Sequence, residues 1–287
     1  MIPFSPEEFK DATRQAWNQS ASGWNSQTPA VHDWLMAATA DMLDAARITT
    51  GMRVLDMAAG TGDQTLDIAR RIGSGGHVLA TDLSEAMLRF ARDNARQAGL
   101  SQVETRVSDA EDLDVEAASF DAAVCRLGLM FCPDPVQALR QMQHALKPGG
   151  HAAVLVFSEP QRNPCIGILM STALRHAGLP PRDPFQPGGL LSLGKPGLLE
   201  TCFGQAGFAK VTATRVYAPF QLPSARNYLD FVRASASPIL QLLGQLDPQA
   251  QEAAWADMEE QLDVFQLPEG WEGPNELLLV HGMRPVG

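Results

Sequence analysis

Residues 54–62 read VLDMAAGTG, and this stretch decides the fold. Residues 53–58 (RVLDMA) are a short apolar run with Val and Leu, which predicts a buried strand. A loop of small residues follows at once, and residues 63–72 predict a helix. In an open α/β sheet, ligands bind beyond the carboxyl ends of the strands, and free amides at a helix start attract anions. The stretch therefore predicts a ligand-binding turn.

The alternation of strands and helices continues on the C-terminal side of this turn. Further strands are predicted at residues 77–81, 103–107, 120–126, 151–157, 210–217 and 275–283, with helices at 85–98, 135–146, 165–177 and 198–206. Strands separated by helical segments imply right-handed parallel βαβ units. Because the predicted strands are apolar on both faces, helices must cover both sides of the sheet. We expect a doubly wound α/β fold.

Three segments depart from this rhythm within what we predict to be a single domain, 1–287. Residues 1–48 form an N-terminal helical region, in which 1–30 predict a short helix with a mobile lead-in. Residues 158–196 and 222–272 predict helical insertions that cover the ligand-binding edge of the sheet. Trp17 and Trp24 stand among polar residues. They either close over a bound ligand as a lid or only pack an N-terminal helix.

Composition limits the classes of partner. The net charge of −11 argues against nucleic acid, because phosphate backbones require a broad basic surface. The four cysteines match neither a zinc-ligand spacing nor a CxxC redox pair, which suggests a reducing compartment. No signal-peptide pattern and no apolar run of about 20 residues is present. We expect a cytoplasmic protein without a membrane span.

Two acids follow neighbouring predicted strands. Asp82 ends the second strand, where a carboxylate can accept hydrogen bonds from both hydroxyls of a ribose. Asp109 ends the third strand beside Ala110, and a carboxylate with a backbone amide can bind the amino group and a ring nitrogen of adenine. One ligand would then be held at three points on the same sheet edge.

These motifs, with FDAAVCR at residues 120–126 and LKPGG at 146–150, resemble the motif series of class I S-adenosylmethionine (SAM)-dependent methyltransferases. Within that class, the sequences of these motifs are similar to those of the ubiquinone/menaquinone-biosynthesis (type 11) branch. The resemblance covers about residues 50–157, and it is weaker over 197–217 and 275–284. It implies a Rossmann-like seven-stranded sheet whose last strand, at residues 275–283, is antiparallel. Ala58 replaces the family's first glycine and is still small.

By this resemblance the chain binds SAM and transfers its methyl group to a small-molecule acceptor, which contacts the two insertions. Trp24 is also a candidate cofactor-binding residue, because the N-terminal region could close over the cofactor as a lid. The implied cofactor-binding residues are Asp56, Ala58, Gly60, Thr61, Gly62, Gln64, Asp82, Leu83, Met87, Asp109, Ala110 and Arg126.

Catalysis requires few side chains, because methyl transfer from a sulfonium is an in-line displacement that depends mainly on the positioning of donor and acceptor. A general base is needed only when the nucleophile must lose a proton. Glu159 follows the fifth strand and is either a base, a substrate-orienting group or an exposed loop acid. His176 is a catalytic candidate or a cation at a helix C-terminus. Arg126 either clamps an acidic substrate or forms a structural ion pair.

Two other functions compete with methyl transfer. An NAD(P)-dependent oxidoreductase predicts Gly-x-Gly-x-x-Gly, but Thr65 stands where the third glycine belongs. A non-catalytic SAM-binding regulator would share the whole cofactor motif. The acceptor atom (O, N, C or S) and the oligomeric state stay open. No metal is expected, because the clustered acids Asp109, Glu111, Asp112 and Asp114 lie at the implied adenine position.

Overall fold

A computed structural model describes residues 5–235 and 237–286. Residues 1–4 of the predicted N-terminal region, residue 236 of the second insertion and residue 287 lie outside the described part. The strands are β1 (Arg53–Met57), β2 (His77–Asp82), β3 (Val103–Val107), β4 (Phe120–Arg126), β5 (Leu146–Phe157), β6 (Ala209–Tyr217), β7 (Phe220–Leu222), β8 (Gln266–Leu267), β9 (Gly270–Gly273) and β10 (Glu276–Met283).

Seven of these strands form one sheet in the order β3-β2-β1-β4-β5-β10-β6. The first five run parallel, and β10 is antiparallel to both β5 and β6. The predicted seven-stranded Rossmann-like sheet with an antiparallel last strand is therefore confirmed. Strand β5 begins earlier than the predicted residue 151, because Leu146 pairs with Phe120 of β4 before a register shift.

The helices are α1 (Pro6–Ser26), α2 (Thr28–Ala45), α3 (Asp63–Ile72), α4 (Glu85–Gln97), α5 (Pro135–Ala145), α6 (Pro164–His176), α7 (Leu198–Gln205), α8 (Ala225–Ser235), α9 (Ser237–Leu243) and α10 (Pro248–Leu262). Four consecutive residues of β1 are buried, as are the last five of β4. Strands buried on both faces require helices on both sides, which is the doubly wound arrangement.

The N-terminal segment differs from the expected short helix and mobile lead-in. It is a single helix, α1, of 21 residues. Ser5 caps its start by accepting a hydrogen bond from the amide of Glu8, and Ala16 and Ala21 are buried. The polar composition hid this helix, because small alanines and two tryptophans form the packed face against α4 and α8.

The two insertions form a cap with its own hydrophobic core. Helices α6, α8, α9 and α10 pack around buried side chains that include Trp255, Met258 and Trp271. Contrary to the expectation of helices alone, residues 222–272 also contribute to a small antiparallel sheet, β7-β9-β8. These strands have two to four residues, which is too short for an alternating pattern to be visible in the sequence.

Candidate functional site

A cavity of about 240 Å³ lies at the carboxyl edge of the sheet, between that edge, α1 and the cap. One side of it, the polar half, is formed by the ends of strands β1 to β4 and the loops that follow them. The predicted residues that line the cavity are Trp24, Ala58, Gly60, Thr61, Gln64, Asp82, Leu83, Met87, Asp109, Ala110 and Arg126.

The loop between β1 and α3 keeps its backbone open to the cavity. Gly60 and Gly62 have φ angles of 59° and 90°, which glycine adopts without strain. A Cβ atom on Gly62 would lie 2.9 Å from the Cβ of Ala91, so only glycine allows α4 to pack this closely. Ala58 has φ 58°, an unusual value for a non-glycine residue.

Asp56 supports this loop from behind and does not line the cavity. It is fully buried, and its two carboxylate oxygens accept hydrogen bonds from Gln64 Nε2 (3.1 Å) and Thr65 Oγ1 (2.5 Å). Burial raises the pKa of Asp56 to about 6, although the two hydrogen bonds oppose the shift. Asp56 therefore shapes the site from outside the cavity by joining β1 to α3. Gly62 also lies outside it and allows the close contact with α4.

Asp82 joins two loops of the polar half. Its Oδ2 accepts a hydrogen bond from the Gly60 amide (2.9 Å), and its Oδ1 accepts one from the Ser84 amide (2.8 Å). Burial raises the pKa of Asp82, and the backbone amides oppose that shift. A carboxylate has about four lone-pair sites, so Asp82 retains acceptor capacity toward a ligand.

Asp109 has a partner that the sequence did not reveal. Lys10 Nζ, from α1, lies 2.7 Å from Asp109 Oδ2 and 2.6 Å from Glu111 Oε2. Burial lowers the pKa of Lys10, but the hydrogen bonds and charges of the two carboxylates outweigh burial and raise it. Lys10 lies 99 residues before Asp109 in a segment without a motif, so no sequence signal linked them.

Arg126 forms the structural ion pair that the sequence left as one alternative. Its Nη2 donates to Asp63 Oδ2 and its Nη1 donates to Thr39 Oγ1, both at 2.7 Å. His32 Nδ1 lies 3.0 Å from the second oxygen of Asp63. Arg126 is 8% exposed and lines the cavity beside the start of α3, where its charge is balanced by Asp63.

Thr61 carries an unused polar atom inside the polar half. Its Oγ1 is buried and has no hydrogen-bond partner within the described part of the chain. A buried hydroxyl without a partner costs about 1–3 kcal/mol, so native proteins retain few of them. Because Thr61 lines the cavity at the start of α3, this atom fits a ligand that brings its own polar group.

The other side of the cavity, which we call the apolar chamber, is built by α2, β5, β7 and the cap. Trp34 stacks on Phe220 with ring centroids 4.0 Å apart, and Phe231 closes the cluster against both rings. Its lining residues are Trp34, Phe157, Ile166, Leu169, Leu190, Phe220, Tyr228, Phe231, Val232, Ser235, Pro238, Ile239 and Asn275. None of these carries a formal charge, whereas the polar half contains six charged residues.

Comparison with known proteins bears directly on the polar half. A family model described as a methyltransferase domain matches residues 48–176. Residues 48–176 are a methyltransferase domain. This region contains every strand end of the polar half, and the resemblance to class I SAM-dependent methyltransferases is confirmed there.

Curated relatives match the same part of the chain. The ubiquinone/menaquinone biosynthesis C-methyltransferase UbiE of Idiomarina loihiensis is 40% identical over 119 residues, which are 41% of this chain and 47% of that protein. A demethylmenaquinone methyltransferase of Listeria welshimeri is 40% identical over 114 residues, covering 40% and 48%. The matched part of the chain spans about half the length of these relatives.

Solved structures extend the likeness of the methyltransferase domain to the whole fold. The YcgJ protein from Bacillus subtilis aligns with a TM-score of 0.59 at 17% identity, covering 88% of this chain and 100% of that one. A phosphoethanolamine N-methyltransferase 2 from Haemonchus contortus aligns with a TM-score of 0.59 at 16% identity, covering 99% and 62%. At these identities the likeness concerns the fold alone.

Two catalytic candidates lie away from the cavity of the methyltransferase domain. Glu159 Oε2 accepts a hydrogen bond from Arg215 Nη2 (2.9 Å) beside a separate depression next to β6. His176 Nε2 lies 2.8 Å from Asp257 Oδ2 and ties α6 to α10. Each side chain is engaged by a neighbouring element, and neither lines the cavity.

Several contributions to the site come from outside residues 48–176. Lys10 and Trp24 belong to α1, and most of the apolar chamber belongs to the cap. Of the described helices, none is long and apolar enough to cross a membrane. Across residues 5–235 and 237–286, no group of three or more His, Cys, Asp or Glu side chains is arranged to hold a metal ion.

Proposed function

We propose that this chain is a methyltransferase that binds SAM in the polar half of the cavity and methylates a small, neutral, largely apolar molecule in the apolar chamber. The continuity of the cavity carries the proposal. A single space joins the strand ends of a methyltransferase domain to a chamber walled by aromatic and aliphatic side chains.

The polar half supports SAM by the chemistry of its residues. Asp82 would accept hydrogen bonds from the ribose hydroxyls, and Asp109 with Ala110 would hold the adenine. Thr61 and the amides at the start of α3 would meet the methionine carboxylate, which gives the unused Thr61 hydroxyl a partner. When bound, SAM supplies a methyl group activated by its sulfonium.

The chain's own part in the reaction is positioning and exclusion of water. Trp34, Phe220 and Phe231 form a rigid apolar wall, because their rings pack on one another. Holding two reactants in line lowers the activation free energy of the reaction by up to about 7–11 kcal/mol. Asp63 is paired with Arg126, and Asp109 is paired with Lys10. Neither carboxylate is therefore free to act as a general base.

The small-molecule acceptor has two supports. The absence of formal charge among the chamber's lining residues fits an uncharged acceptor, since a buried ion needs a partner. The names of the curated relatives place those proteins in quinone biosynthesis, where acceptors are small molecules. The four cysteines are unpaired, which supports our proposal that the protein works in the cytoplasm.

A calorimetric titration tests the cofactor. The purified protein is titrated with SAM, with S-adenosylhomocysteine (SAH) and with NADH in separate experiments. We expect micromolar dissociation constants for the first two ligands and no heat from the third. Binding of NADH without SAM would overturn the proposal and support the oxidoreductase alternative.

A second measurement separates an enzyme from a SAM-binding regulator. The protein is incubated with SAM and a set of neutral aromatic acceptors, and SAH release is followed by chromatography. Acceptor-dependent SAH release supports turnover. Tight SAM binding with no turnover across the set favours the regulator.

A further inference from the structure

Tyr228 occupies a distinctive place in the apolar chamber. It lies on α8, is 4% exposed and lines the cavity. Two neighbours hold its ring: Phe220 meets it edge to face at a centroid distance of 4.9 Å, and Trp271 stacks on it at 5.0 Å. Because the ring is held from two sides, the position of its hydroxyl is defined before any ligand arrives.

Most of the other polar hydrogens of the chamber are already used. Trp34 Nε1 donates to the Ala218 carbonyl (2.7 Å), and Asn275 Nδ2 donates to the same oxygen (3.1 Å). Ser235 Oγ donates to the Phe231 carbonyl (2.6 Å). The Tyr228 hydroxyl has no hydrogen-bond partner within residues 5–235 and 237–286. Among the hydroxyl groups of the described chamber residues, it is the one that remains available as a donor.

The protonation state of Tyr228 determines which role its hydroxyl can take. Burial raises the pKa of the phenol well above its ordinary value of 10.0, and nearby Cys165 adds to the shift. The hydroxyl therefore keeps its proton at neutral pH. A protonated phenol in an apolar wall donates a hydrogen bond and does not remove a proton from a substrate.

We propose that Tyr228 is a specificity-determining residue, which orients the acceptor by donating a hydrogen bond to an oxygen atom on an otherwise apolar molecule. This inference rests on the proposed function, because it concerns the acceptor end of the same cavity. An acceptor without that oxygen would leave the buried hydroxyl unpaired, and sites of this kind discriminate strongly against such analogues.

A pair of isosteric ligands tests the inference. The probes are a naphthyl methyl ketone and its isopropenyl analogue, in which a methylene group replaces the carbonyl oxygen. Their affinities are measured by quenching of tryptophan fluorescence in the presence of saturating SAH. Tyr228→Phe removes the hydroxyl, and Tyr217→Phe removes the hydroxyl of the chain's other tyrosine, which is 61% exposed.

We expect the wild-type protein and Tyr217→Phe to bind the ketone about threefold to tenfold more tightly than the analogue, the range of one neutral hydrogen bond. Tyr228→Phe should bind both probes equally. Equal affinities in the wild-type protein, or a preference that survives in Tyr228→Phe, would overturn the role of Tyr228.

The same experiment separates this inference from the proposed function. Failure of SAH to bind would contradict the proposed function itself. Binding of SAH without binding of either probe contradicts the apolar acceptor chamber, and the role of Tyr228 falls with it. A thermal melt of Tyr228→Phe establishes that the variant is folded. Equal affinities of the wild-type protein for the two probes overturn the inference whether or not the variant folds.

Discussion

Single residues of the polar half have two structural roles, because the same side chains that line the cavity also hold the loops. Asp82 shows this directly, since it bonds the amides of Gly60 and Ser84 while lining the cavity. Its place at a strand end was predictable from the sequence. Its bond to Gly60 was not, because that contact depends on how two separate loops meet.

Asp82→Ala should weaken SAH binding by well over tenfold. The substitution removes a charged acceptor from the proposed ribose position and frees the Gly60 amide, so affinity falls through both effects. Calorimetric titration provides the measurement. Asp93→Ala, at an exposed carboxylate on α4, is the charge-matched control and should bind as the wild-type protein does. Unchanged affinity in Asp82→Ala would remove Asp82 from the site.

Asp56 should make stability depend on pH. Its pKa is 3.8 in its ordinary state and about 6 in the fold, so folding favours the protonated form. The stabilisation that follows is fully present below pH 3.8 and is lost as the pH rises through about 6. Relative to Asp56→Asn, the wild-type free energy of unfolding should fall by roughly 3 kcal/mol across this range.

Denaturant unfolding of both proteins at several pH values checks the Asp56 prediction. Using the difference between the two proteins cancels the titration of the other carboxylates. A difference that stays constant with pH would mean that Asp56 does not titrate as its burial implies.

At the scale of elements, α1 touches both sides of the cavity. Lys10 pairs with Asp109 in the polar half, and Trp24 stands between Gly60 and the chamber residue Phe231. Asn18 also accepts hydrogen bonds from the Ser84 hydroxyl and the Ala86 amide. We therefore propose that α1 is a lid shared by cofactor and acceptor.

The crossing of α1 and α8 tests this lid. A Cβ atom on Gly23 would lie 1.9 Å from the Ala234 carbonyl oxygen, so Gly23→Ala must push the two helices apart. We expect SAH to dissociate several-fold faster from this variant in stopped-flow fluorescence. Gly204→Ala, on α7 with nothing within 4 Å of its added Cβ, is the matched control. Equal dissociation rates in both variants would show that α1 does not retain the ligand.

The sequence predicted the regular elements more fully than the connecting ones. The helix at residues 63–72 and the strands at 103–107 and 120–126 have the predicted bounds, because strong periodicity and turn residues delimit them. Helix α1 and the small sheet of the cap were missed or underestimated. Their sequences carry weak local signals, and packing against other elements stabilises them.

At the scale of the whole molecule, the cavity lies where two hydrophobic cores meet. One core surrounds the main sheet and the other fills the cap, and Trp34 and Phe231 pack against both. A ligand in this space therefore contacts both parts of the fold. A ligand that binds only the native state stabilises that state, so ligand binding should raise the free energy of unfolding of the entire chain.

SAH at one hundred times its dissociation constant should raise the free energy of unfolding by about 2.7 kcal/mol. Hydrogen exchange should slow in α4, which borders the polar half, and also in α8 of the cap, because α1 packs on both. Protection of α4 without protection of α8 would show that the cap is energetically independent of the cofactor site.

The sequence by itself determined the alternation of strands and helices in the main sheet, the turn at residues 54–62 and the acids at the strand ends, because these depend on local periodicity and turn chemistry. Only the tertiary structure decided that Lys10 meets Asp109, that Glu159 turns to Arg215 outside the cavity, and that Tyr228 enters the apolar chamber. These contacts join residues far apart in the chain. They follow from how helices cross the sheet, which no local pattern encodes.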